Sequence, residues 1–140
     1  MRVAICLISA LAAGCMGEPT RGVERDFGSV CSPDNEGLRV ATRGYFRLPD
    51  SNEGNYGVTL NLFESPAFEG PSIAVLVPFG QEAHHLASIP TSYTDGDLRL
   101  HLVDGTEAGY GTPVRVSGRM YYGPRGVACA LENPYLEPAG

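Results

Sequence analysis

The sequence predicts an all-β domain, arranged as a small antiparallel barrel that is closed or nearly closed. Three observations carry this expectation. Most apolar segments alternate with polar residues at a period of two, the pattern of strands with one buried face. The 18 glycines and 11 prolines punctuate these segments at short intervals, as turns do. Only one stretch has helix-forming composition, whereas a parallel α/β fold needs repeated crossover helices. Closure is expected because it removes exposed strand edges. A Greek-key sandwich of the same strands is the alternative.

The elements follow in order. In "LRVATRGYFRL", Leu38, Val40, Thr42, Phe46 and Leu48 share one face, and Arg39, Ala41, Arg43, Tyr45 and Arg47 the other. In "YGVTLNLFE", Tyr56, Val58, Leu60 and Leu62 point one way, with Thr59 and Asn61 opposite. "IAVLVPF" offers Ile73, Val75, Val77 and Phe79 inward, and Pro78 marks a strand end or bulge. "QEAHHLAS" predicts a short helix of about two turns before Pro90. "DLRLHLVDG" sets Leu98, Leu100 and Leu102 against Arg99, His101 and Val103. "PVRVSGRMYY" sets Val114, Val116, Met120 and Tyr122 against Arg115, Ser117, Arg119 and Tyr121. A turn at "GPRG" leads to a last short strand, "VACALE".

Two of these segments carry a resemblance. "LRVATRGYF" and "VRVSGRMYY" share Arg, Val, Arg and Tyr at matching places, and the second holds "V-R-V-S-G" with Gly118 in the last position. This resembles the V-x-V-x-G strands of OB-fold domains, in which glycine relieves crowding as a long strand bends around the barrel. In the first copy Thr42 stands at that place and Gly44 follows two residues later. The order of three strands, a helix and two further strands is also similar to the OB-fold, with "DLRLHLVDG" as an extra strand. The resemblance implies a ligand face on the second and third strands, here Thr59, Asn61 and Phe63. One aromatic there is few for a base-stacking platform.

The N-terminus points to export. Met1-Arg2 is followed by an apolar run from Val3 to Ala13, too short for a membrane-spanning helix of about 20 residues. It has the length of a signal-peptide core. "LAAGC", ending at Cys15, resembles the lipobox of bacterial lipoproteins. The resemblance implies cleavage before Cys15, acylation of its thiol, and attachment to the membrane through that N-terminal lipid. An ordinary signal peptide cut after Ala12 is the alternative. The chain then divides into a signal peptide (1–14), a flexible tether (15–26) rich in Gly, Pro and charge, and a barrel domain (27–140). Met16, rather than Asp, beside the lipidated cysteine is similar to outer-membrane sorting. The expected location is thus the bacterial cell envelope, on the periplasmic face of the outer membrane.

After such processing, Cys31 and Cys129 remain as an even pair in an oxidising compartment, and a disulfide between them is expected. Metal ligation by these two has no Cys or His partner at ligand spacing. The chain carries 10 basic against 16 acidic residues, every basic one an arginine, and loss of Arg2 makes the net charge more negative still. That balance argues against nucleic acid, whose binding relies on phosphate neutralisation.

If the first segment pairs with "PVRVSGRMYY", as the resemblance to OB barrels implies, Arg39, Arg43, Tyr45, Arg47, Arg115, Arg119 and Tyr121 share one outward face. Such a face suits a small anionic ligand or an oligosaccharide, through bidentate bonds and stacking. The favoured reading is the solvated face of a strand pair whose arginines meet nearby acids, since exposed pairs are common and weak. His84 and His85, about 100° apart on a helix, do not converge on one metal, and Asp95, Asp97 and Asp104 lack EF-hand spacing. No nucleophile elbow or phosphate-binding loop is present. The function expected is a non-catalytic interaction or structural module that docks an envelope protein, without metal or cofactor. A ligand-binding module is the alternative, and a hydrolase using His84, His85 or His101 a second one.

Overall fold

The computed structural model describes residues 17–52, 54–122 and 129–140. The expected signal peptide, Cys15, the expected "GPRG" turn and the start of the expected last strand lie outside these residues. The described chain forms eight strands: β1 (Val23–Glu24), β2 (Arg39–Arg47), β3 (Gly57–Phe63), β4 (Ser72–Pro78), β5 (Leu100–His101), β6 (Glu107–Ala108), β7 (Pro113–Tyr122) and β8 (Cys129–Pro138).

Five of them close a barrel in the order β2-β3-β4-β8-β7, with β7 returning to β2. All neighbours are antiparallel except β4 and β8, which run parallel. The fold is therefore a small all-β, OB-fold-like barrel, and the sandwich alternative does not describe it. The expected pairing of the two similar segments holds, with Arg39 opposite Arg119 and Arg43 opposite Arg115. Gly118 sits where β7 breaks register against β8, and a Cβ there would lie 2.8 Å from the Leu131 Cβ. The irregularity thus needs the glycine for the reason the motif suggests, crowding against the neighbouring strand β8.

The alternation in β2, β3, β4 and β7 sends Val40, Phe46, Val58, Leu60, Leu62, Ile73, Val75, Val77, Val114, Val116 and Met120 into one core. Leu131 and Leu136 join it from β8. Two residues read as inward are not. Leu38 is exposed, and Tyr56 lies just before β3 at 89% exposure. Disulfide Cys31–Cys129 links the short 3-10 turns before β2 to the start of β8, with Cα atoms 5.5 Å apart and a sequence separation of 98.

The helix expected at 81–88 does not form. His84 has a left-handed φ of 71°, and the segment spends its main-chain groups on tertiary partners. His84 N–H donates to His101 O, His101 N–H to His85 O, and Ala87 N–H to Arg99 O. Leu86 bridges both Phe79 and Leu100. Helical propensity over eight residues is a weak preference, and sheet-like bonds plus burial of Leu86 outweigh it. The extra strand is likewise reduced to β5, paired with β6 outside the barrel. This whole connection still contributes Leu86, Leu98, Leu100, Leu102 and Ala108 to the core, so it plugs the barrel without a helix.

Besides β6, the extension of the last strand and β1 were not foreseen. β8 runs through "ENPYLEP", accommodating Asn133 in the left-handed region (φ 53°) where its register against β7 slips. Part of the segment assigned to a tether is sheet: β1 runs parallel to β2, Val23 beside Val40 and Glu24 beside Ala41. β7 occupies one edge of β2 from Arg39 to Tyr45, whereas β3 pairs only from Tyr45 on. β1 therefore covers the length of β2 edge that β3 leaves open.

Candidate functional site

The arginines of β2 and β7 do lie on the outer face, and most are engaged within the molecule. Arg39 donates through Nε and Nη2 to the carbonyl of Thr20 at 3.0 and 2.7 Å, and through Nη2 to that of Asn133 at 2.9 Å. Because Asn133 is on β8, the Arg39 side chain passes over β7. Arg115 meets Glu24 at 2.7 Å and Glu137 at 3.3 Å. Arg119 pairs with Glu132 and lies over the Tyr121 ring. Arg47 reaches Asp95 at 3.4 Å. Ala41 and Ser117, read as solvent-facing, are buried among these crossing side chains.

These contacts converge on the N-terminal segment. Thr20 is held by Arg39 and Glu24 by Arg115, while Arg21 pairs with Glu137 at 3.1 Å and lies over the Tyr135 ring. Glu137 is buried, and two guanidinium groups answer its charge, which an isolated buried carboxylate could not tolerate. Arg25 N–H donates to Ala41 O at 2.8 Å. At Gly22 a Cβ would lie 2.6 Å from the Val40 carbonyl carbon, so only glycine permits this contact. The arginine face thus works as a clamp on residues 20–25.

Arg43 is the exception. No hydrogen bond or ion pair engages it among the described residues, and with Tyr45, Thr112 and Gly140 it lines a shallow groove of about 500 Å³.

The expected histidine sites are rearranged. Without a helix, His84 and His85 both border a second, mostly apolar pocket of about 420 Å³, together with Gly17, Tyr56, Leu76 and Pro134. His84 Nδ1 accepts the Leu136 N–H at 2.8 Å, and its ring packs on Tyr135 with centroids 4.6 Å apart. Burial and the neighbouring His85 lower its pKa below the ordinary value of 6.5, partly offset by Glu137. His85 places Nδ1 2.8 Å from Ala83 O and Nε2 3.8 Å from Glu82. His101 sits 3.6 Å from Glu107, its Nε2 buried and without a partner among the described residues. The polar contacts of the three among these residues are to carboxylates or main chain. Among the described residues, no group of three or more His, Cys, Asp or Glu is placed to hold a metal.

On the strand-two face, Phe63 does not stand alone. It meets Phe68 edge-on at 5.5 Å, Phe68 stacks on Tyr110 at 4.9 Å, and the Arg47 guanidinium lies 5.4 Å over Phe68. Phe68 and Tyr110 come from loops with no periodicity, so sequence pattern held no signal for their meeting.

No family model matches the chain, and no curated protein or solved structure matches it either. The strand order defines an OB-fold-like barrel, an architecture that serves many unrelated functions.

Proposed function

We propose that this chain is an envelope lipoprotein, acylated at Cys15, whose barrel is a non-catalytic interaction and structural module mounted rigidly close to the membrane. The observation that supports this reading is the clamp. The arginines most available for ligand recognition hold Thr20, Arg21 and Glu24 through their own contacts and through Glu137, so the chain leading from the anchor is fastened to the barrel. A lipid on Cys15 would then fix the barrel's orientation as well as its location. Several acyl chains hold a protein to a bilayer where one does not, so the acidic barrel needs no electrostatic attraction to lipid. The partner in this reading is another envelope protein, met from the periplasmic side of the outer membrane.

One observation favours a second reading. Arg43, without a partner among the described residues and beside Tyr45 in its groove, has the chemistry to bind a small carboxylate, phosphate or sugar.

Complementation of a deletion strain separates these readings from the hydrolase. Cys15→Ser and Gly22→Val should lose function, the first through the anchor and the second through the clamp. Replacement of all three histidines should retain it, provided thermal melts show a folded protein. A ligand-binding role would show instead as selective loss in Arg43→Ala. An inactive triple-histidine variant beside working Cys15→Ser and Gly22→Val variants would establish the hydrolase.

A further inference from the structure

We infer that the apolar pocket beside His84 and His85 is the face with which the barrel rests on the lipid bilayer. The inference rests on acylation of Cys15 and adds to it the orientation of the anchored domain.

Three features of the site lead there. First, its rim is apolar and solvent-facing, with Tyr56 89% exposed and Leu76 46% exposed, neither contributing to the core. Gly57, Pro78 and Pro134 continue the wall. Leucine and tyrosine side chains of this kind gain by leaving water at a membrane interface, where the tyrosine hydroxyl stays hydrated. Second, the carboxylate and the histidines of the pocket wall are engaged within the molecule, His85 with Nδ1 2.8 Å from Ala83 O. Glu132 is paired with Arg119, and His84 Nδ1 accepts a main-chain N–H. Contact with lipid would therefore strand no lone charge at this wall.

Third, covalent geometry brings the lipid here. Gly17 forms part of the pocket wall, and Cys15 precedes it by two residues. Two residues span at most about 7 Å. Acyl chains on Cys15 thus begin beside this pocket, and the clamp on residues 20–25 leaves little slack to carry it elsewhere. With a negative net charge on the protein, the contact is apolar in origin and should hold in high salt.

The chain contains no tryptophan, so one introduced indole is a clean depth probe. Tyr56→Trp, Leu76→Trp and Tyr110→Trp are made in the full-length lipidated protein, with acylation verified by intact mass. Tyr110 stacks on Phe68, beyond the far end of β3, which spans about 20 Å from the pocket. Each variant is reconstituted into phosphatidylcholine vesicles with or without brominated acyl chains. At least twofold quenching of Tyr56→Trp and Leu76→Trp by the brominated lipid, unchanged in 0.5 M salt as screening theory allows, with Tyr110→Trp unquenched, is the expected result. Equal quenching at all three positions, or none at Tyr56→Trp and Leu76→Trp in acylated protein, overturns the orientation and leaves the anchor standing. A mass without acyl groups removes the anchor and this inference with it.

Discussion

The main-chain N–H of Leu136 donates to Nδ1 of His84 across 2.8 Å, which requires the neutral ring that carries its proton on Nε2. This bond ties the plug between β4 and β7 to the last strand of the barrel. Protonation of His84 would convert the acceptor into a second donor and break it.

Stability should consequently fall on mild acidification. The folded-state pKa of His84 lies below its ordinary value of 6.5, chiefly through burial. The folded protein thus binds fewer protons than the unfolded chain between those two values, and stability rises with pH there. The contribution is complete above about pH 6.5 and is lost as pH drops toward the folded pKa. Thermal midpoints at pH 7.5 and 5.5 should differ in the wild type, and by less in His84→Asn, which tolerates the left-handed backbone. An equal drop in both proteins would place the titration elsewhere.

Gly22→Val should release the N-terminal segment while leaving the barrel folded. The chain has no lysine, so trypsin reads only arginines, and Arg21 and Arg25 lie in the clamp. In the wild type, the Arg25 N–H bond to Ala41 and the pairing of β1 shield these sites. Cleavage after Arg21 and Arg25 should accelerate at least about tenfold in the variant, since cutting follows local opening. Unchanged cleavage would show that the close approach at Gly22 is dispensable.

The Cys31–Cys129 bridge closes nearly the whole domain, so its removal should be costly. Constraint of the unfolded chain by so long a loop is worth about 4–5 kcal/mol in entropy models, and native bridges of small exported domains contribute about 2–5 kcal/mol. Urea unfolding of the Cys31→Ala/Cys129→Ala protein should show a loss within that range. A loss under about 1 kcal/mol would mean that the core alone fixes the ends of the barrel.

Much of the barrel was legible because its strands alternate. The period of two placed Val58, Leu60, Leu62, Ile73, Val75 and Val77 inside, and the resemblance to OB-fold strands implied the β2–β7 pair. Other parts follow from tertiary bonding, which no local pattern records. "QEAHHLAS" has helical composition, but its main chain is bonded to 99–101. The last strand was expected only over "VACALE", yet β8 continues through Asn133 and Pro134, which form an irregularity inside it. Val23 and Glu24 looked like tether because two residues are too few to show a period, and Gly22 gave no sign that it packs on Val40. The arginine face was visible as a face. Its occupation by Thr20, Glu24 and Glu137 was not, since these partners lie far away in sequence.

Acylation at Cys15 gives the clamp and the pocket beside Gly17 their proposed roles, because both depend on an anchor at that point. Metabolic labelling with a palmitate analogue, followed by isolation of the wild-type and Cys15→Ser proteins, tests it most directly. Label on the wild type alone, with the mature chain beginning at Cys15, is the predicted result. Equal labelling of both proteins, or an unlabelled wild type that begins at another residue, would contradict it.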